Sequence, residues 1–160
     1  MILVPTLLLL GLAAAGCGQA TPEQAVYKFL GAVQSQDRNA MRSCVNPEAL
    51  RKAEEGSGEI ARQWDELCRR YFVEPVNWRL VFDGVRLEST YLDSDRALVR
   101  LAGGRCELYN LREGTWAATG EIDFATKDFV PLYVVARDGK WYLEALDVYV
   151  IFGLENAARG

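Results

Sequence analysis

The chain of 160 residues predicts an α+β fold in which N-terminal helices cover one face of an antiparallel β-sheet. Two observations carry this expectation. Apolar residues recur at helical spacing as far as Tyr71 and then alternate with a period of two from Val76 onward. No helical pattern separates the strand candidates, and their connections have hairpin length, which disfavours a parallel sheet built from βαβ units.

Thr21-Pro22-Glu23-Gln24 is a helix start with three coincident signals: a Thr cap, Pro at the first helical position, and Gln three residues after the cap. Val26, Phe29, Leu30 and Val33 then make one apolar stripe, and the helix should end near Gln34 to Gln36. Asp37 is placed to cap a short second helix carrying Ala40, Met41 and Cys44. Asn46-Pro47-Glu48 starts another short turn through Leu50, and Gly56-Ser57-Gly58 breaks the pattern. Ile60, Trp64, Leu67, Cys68 and Tyr71 share one face of a further helix, which Pro75 ends.

Trp78, Leu80 and Phe82 alternate with other residues, and Val85, Leu87 and Tyr91 do so in the opposite parity. The phase flips at Asp83-Gly84, which is either a bulge or a two-residue hairpin turn. Asp93-Ser94-Asp95 is a turn, followed by a strand from Arg96 to Ala102, a break at Gly103-Gly104 and a weak strand from Cys106 to Leu111. After a turn at Glu113-Gly114, Trp116, Ala118, Gly120, Ile122 and Phe124 mark a strand with one buried face. Phe129 to Arg137 and Lys140 to Val150 form a hairpin on the Asp138-Gly139 turn, the firmest local signal in the chain.

The N-terminus carries an address. Ile2 to Ala15 is an uncharged apolar run of fourteen residues, which as a helix spans about 21 Å against a hydrocarbon core of about 30 Å. It fits the apolar part of an export signal. Ala14-Ala15-Gly16-Cys17 resembles a lipobox, in which small residues precede a cysteine that is acylated before cleavage. On that reading residues 1–16 are a signal peptide, 17–20 the lipidated Cys17 and a short tether, 21–150 a single domain, and 151–160 a tail. The alternatives are an ordinary secretory cleavage site with Cys17 incidental, and a buried N-terminal helix. A lipid on Cys17 places the chain on the extracytoplasmic side of a cell membrane or outer membrane, and Gly18 to Ala20 moor it within about 10 to 15 Å of the surface.

Lipidation of Cys17 leaves Cys44, Cys68 and Cys106. One bridge, between Cys44 and Cys68 in the helical half, is the pairing an oxidising compartment would favour. The alternative is that all three are small buried hydrophobes.

The net charge of −4 and the scattering of both signs argue against nucleic acid as a partner. The chain has no histidine, which removes Ser-His-Asp and Cys-His nucleophilic systems and the commonest metal ligand. Asp93-Ser94-Asp95 begins like a calcium loop, but Ala97 occupies the next ligand position and no glycine follows at the sixth. No metal or cofactor is therefore expected. What remains for chemistry is a carboxylate and tyrosine set drawn from Tyr27, Tyr91, Tyr133, Tyr142, Tyr149, Asp123 and Asp147. None of these stands out by spacing, and sheet aromatics are the plainer reading.

The helical opening from Thr21 to Glu48 and the closing Val134-Val135-Ala136-Arg137-Asp138-Gly139-Lys140-Trp141 hairpin, behind a lipobox, resemble small bacterial lipoproteins of the nuclear transport factor 2-like superfamily. Its markers here are Phe29 and Leu30, the Gln36-Asp37 turn, and Asp138 to Trp141. The resemblance implies a cystatin-like cone, a curved sheet around a helix, with a pocket to which Trp64, Tyr71, Trp78, Tyr91 and Tyr133 are the lining candidates. It does not select a function, because the superfamily holds isomerase-like and cyclase-like enzymes as well as non-catalytic modules. The expected role is a membrane-tethered, non-catalytic module binding a small apolar ligand or an envelope protein. The rivals are an isomerase or cyclase using Asp and Tyr, and a purely structural envelope protein.

Overall fold

The structure, a computed structural model, describes residues 20–73 and 76–144. The segment expected to be an export signal, Cys17, Pro75, Asp147, Tyr149 and the expected tail lie outside the described residues. Four helices, α1 (Pro22–Ser35), α2 (Arg38–Arg42), α3 (Pro47–Glu55) and α4 (Glu59–Tyr71), precede five strands: β1 (Trp78–Tyr91), β2 (Arg96–Arg112), β3 (Thr115–Asp123), β4 (Leu132–Arg137) and β5 (Lys140–Leu143). All strand pairs are antiparallel, so the expected α+β class is the observed one.

The helix starts follow their sequence signals. Thr21 accepts from the Gln24 amide at 3.2 Å, and Asp37 accepts from that of Ala40 at 2.9 Å. The Gln24 side chain reaches back one residue further than a capping box requires, accepting from the amide of Ala20 at 2.9 Å. The turn expected from Asn46 to Leu50 continues as a full helix to Glu55, supported by the Glu48–Lys52 pair at 2.8 Å one turn apart.

Two corrections concern the sheet. Gly103-Gly104 does not break a strand: β2 runs through it for 17 residues. Gly84 and Val85 together oppose Gly104, so the parity flip in β1 is a bulge and not a turn. A side chain on Gly104 would stand 2.5 Å from the Gly84 carbonyl, and its φ is +89°. The glycine pair read as a break because sequence alone does not show the bulge it faces. In β3 a second bulge leaves Thr119 unpaired between Leu108 and Tyr109, so the expected single buried face switches. Ile122 is buried while Ala118 is exposed.

These bulges curl the sheet around α1. The strand order is β1-β2-β4-β5, with β3 paired to the far half of β2 beyond β4. Phe29, Leu30 and Val33 of α1 pack in one buried cluster with Leu80, Leu108, Ile122, Leu132 and Val134 from the strands. Each such burial stabilises by about 1.5–3 kcal/mol.

Side chains of α1 and its cap also cover the exposed edge of β1. Tyr27 donates to Val85 O at 3.0 Å, Gln34 accepts from Phe82 N at 2.6 Å, and Gln36 donates to Trp78 O at 3.0 Å. At the other edge the link between α2 and α3 pairs with β5: Leu143 N donates to Cys44 O at 2.9 Å and Asn46 N to Leu143 O at 2.8 Å. The Trp78–Val85 part of the β1 edge and the β5 edge are thereby covered, while β3 pairs with β2 alone.

Candidate ligand-binding cleft

The aromatic residues expected around one pocket are dispersed. Tyr71 is fully buried in the core and Trp78 packs against that core from its margin. Tyr91 stands 57 % exposed at the β1–β2 tip, edge-on to Trp141 with ring centroids 5.7 Å apart. Tyr133 lies beside Arg96. The physical reason is the filling of the cone: α1 occupies the concave side of the sheet, so aromatic side chains there either join the core or turn to the rim.

Trp64, of the five, lines a substantial cleft. That cleft, about 510 Å³, lies between α2, α3 and α4 and is bounded by Arg38, Arg42, Glu54, Trp64, Asp65 and Cys68. The short α2 exists because Asp37 caps it, and its one buried residue, Met41, plugs the core. Arg38 and Arg42, one turn apart, share the face beside Met41 and both line the cleft.

Two donors in the cleft wall are left over. The indole Nε1 of Trp64, in a side chain only 3 % exposed, and the Nε of Arg42 are both buried without a hydrogen-bond partner. A buried donor left unpaired costs about 1–3 kcal/mol. The other end of the Arg42 guanidinium is engaged, with Nη2 2.8 Å from Glu54 Oε2. Arg38 and Arg42 balance Glu54 and Asp65 in formal charge, so the cleft is polar and nearly neutral, with its unused capacity in N–H groups.

Cys68 closes one wall. Burial pushes its thiol pKa up, Arg38 beside it pulls the other way, and Glu54 and Asp65 add to the rise. A thiol held protonated is a poor nucleophile. Cys44, Cys68 and Cys106 are all buried and form no disulfide. The pairing open to Cys44 and Cys68 is thus not made in this structure: the Cys44 thiol turns back along its own chain, donating to Ala40 O at 3.2 Å, while Cys68 sits against Arg38.

Among the described residues the carboxylate and tyrosine candidates are not brought into one site. Asp123 caps its own turn, accepting from Ala125 N at 2.8 Å, and Tyr27 is committed to Val85 O. Tyr109 does donate to Glu107, at 2.5 Å, which raises the tyrosine pKa. That pair lies on the outer face of β2, opposite the inward-facing Cys106 and Leu108, and is only half-buried. Among the described residues no cluster of three metal-ligating side chains occurs, and no helix is long and apolar enough to cross a membrane.

The sequence reading passed over Arg38 and Arg42 because arginines on a short helix read as a solvated face. The signal that could have found them is their spacing of four opposite the Trp64 stripe.

No family model matches the chain, and no curated protein matches it. Among solved structures it is similar to a variant of Rv3472, a protein of unknown function from Mycobacterium tuberculosis, at 14 % identity over 76 % of this chain and 69 % of that one, with a TM-score of 0.40. It is also similar to a protein of unknown function with a cystatin-like fold from Nostoc punctiforme, at 13 % identity over 76 % of this chain and 82 % of that one, with a TM-score of 0.41.

Proposed function

We propose that the chain is a lipid-anchored, extracytoplasmic, non-catalytic binding module whose ligand site is the cleft between α2, α3 and α4. The anchor half of the reading rests on Ala14-Ala15-Gly16-Cys17 behind an uncharged apolar run. The binding half is carried by one observation, the two unpartnered N–H donors of Trp64 and Arg42 in the wall of a polar cleft. Donors without partners call for a ligand with acceptor oxygens, such as a carboxylate, in place of the apolar ligand expected from sequence. The Arg42 side chain is the movable part, 41 % exposed and tied to Glu54. Swinging it outward frees the guanidinium to take the ligand between two N–H groups, with the Trp64 indole in the same cleft wall.

Native mass spectrometry of protein purified from its host tests the binding half. A retained small molecule in the wild type, lost in both Arg42→Met and Trp64→Phe, is expected. A bare wild-type protein, or an adduct unaffected by either change, would overturn the assignment. For the anchor, Cys17→Ser should move the protein from the membrane fraction to the soluble one, because acylation needs that thiol; unchanged membrane association refutes it.

A further inference from the structure

We propose that the β1–β2 tip, Tyr91 and Leu92, rests in the interfacial layer of the membrane that holds the chain, an inference that depends on the lipid anchor at Cys17. Helix α1 and strand β1 run antiparallel, as the contacts of Tyr27 with Val85 and of Gln36 with Trp78 require. From the Tyr27–Val85 contact, Thr21 lies about 9 Å along the helix at 1.5 Å per residue. Tyr91 lies about 20 Å along the strand in the same direction, at about 3.3 Å per residue. Glu23, in the first turn of α1, stands beside Ser89, two residues before Tyr91, so the tip lies at the end of the molecule where α1 starts. Three chain steps link Ala20 to Cys17 and reach at most about 11 Å. That short reach keeps the lipid-bearing residue at the tip's end of the molecule.

The tip has the chemistry of that layer. Tyr91 and Leu92 are 57 % and 50 % exposed, and a tyrosine with an apolar body and a wet hydroxyl suits the headgroup region. Scattered exposed apolar residues need no explanation; this pair is singled out by lying at the anchored end. The ring of Tyr91 is braced by Trp141. Of the two acidic residues in the turn, Asp93 accepts from Asp95 N at 2.9 Å and pairs with Arg96, while Asp95 stays exposed. The contact is accordingly apolar and does not call for anionic lipid.

The test uses the lipidated full chain in phosphatidylcholine vesicles, with a polarity-sensitive NBD fluorophore on Leu92→Cys and, as the distal control, on Thr115→Cys at the other end of β2. Cys44, Cys68 and Cys106 are buried and Cys17 carries the lipid, so labelling is confined to the new thiol. A blue shift and brightening at 92, quenched by headgroup-level nitroxide lipid and absent at 115, is the expected result. Equal emission at both positions in protein that still floats with the vesicles overturns the tip contact and leaves the anchor standing. Failure to float overturns the anchor and the proposal with it. A shift at 92 that grows with protein density and escapes lipid quenching assigns the tip to a second copy of the chain, against the proposal.

Discussion

Helices α1 and α4 are nearly equal in length, 14 and 13 residues, and both carry an apolar stripe, yet they are finished differently. Thr21 caps α1, whereas α4 starts at Gly58, with φ of +104° and no side-chain cap. The polar side chains Tyr27, Gln34 and Gln36 all close on the backbone of β1. On α4 the indole N–H of Trp64 closes on nothing. A helix whose polar groups are spent on the sheet is a wall of the fold. A helix that keeps a buried donor unspent, in a cleft it shares with two arginines, is the one on which the proposed ligand site rests.

The largest test of this contrast is in the core. Phe29→Ala should cost about 3–5 kcal/mol, by lost transfer energy and the cavity left between α1 and the sheet. Ile60→Ala, on α4 but 40 % exposed, should cost no more than about 0.5 kcal/mol. Urea unfolding with unchanged m-values measures both, and equal losses would abolish the distinction between wall and cleft helix. At the helix starts the effect is smaller. Thr21→Ala removes a cap bond worth about 1 kcal/mol, while Ser57→Ala, before the uncapped α4, should be neutral within about 0.5 kcal/mol. A loss at Ser57 as large as that at Thr21 would mean that α4 has a cap in solution.

The same contrast explains what was legible beforehand. The start of α1, the Asp37 cap and the Asp138-Gly139 turn are local devices, written in four or fewer consecutive residues, and the structure has them where the sequence puts them. The flip at Asp83-Gly84 was visible as parity, but its choice of bulge over turn depends on Gly104, twenty residues away, admitting the Gly84 carbonyl. The cleft was the least legible feature. Trp64 could be named as an aromatic in a stripe, but whether its N–H finds a partner depends on three helices whose mutual placement no spacing encodes. The interior of the cone was hard to read for a related reason: the pattern marks Phe29, Leu30 and Val33 as buried without saying which strand residues they pack against.

The smallest expected effect separates the two sides of the molecule through their thiols. Burial raises the pKa of Cys106, in the sheet core, to about 12, and raises that of Cys68, in the cleft wall. Both are therefore protonated at pH 8 in the folded protein and should alkylate slowly with iodoacetamide. Cys68 should react first, because Arg38 opposes its shift and the cleft offers a path to it, whereas Cys106 has the core on every side. A raised folded-state pKa also means that the folded state binds the proton more tightly. The stability associated with Cys106 is fully present below its reference value of 9.0 and is lost as pH climbs from there towards about 12. The urea midpoint should accordingly be flat to about pH 8 and fall above about pH 9, a decline that Cys106→Ala should flatten. Mass mapping of the alkylated protein decides the order of reaction. Modification of Cys106 as early as Cys68 would show that the sheet side opens as readily as the cleft, and that α1 is no more a fixed wall than α4.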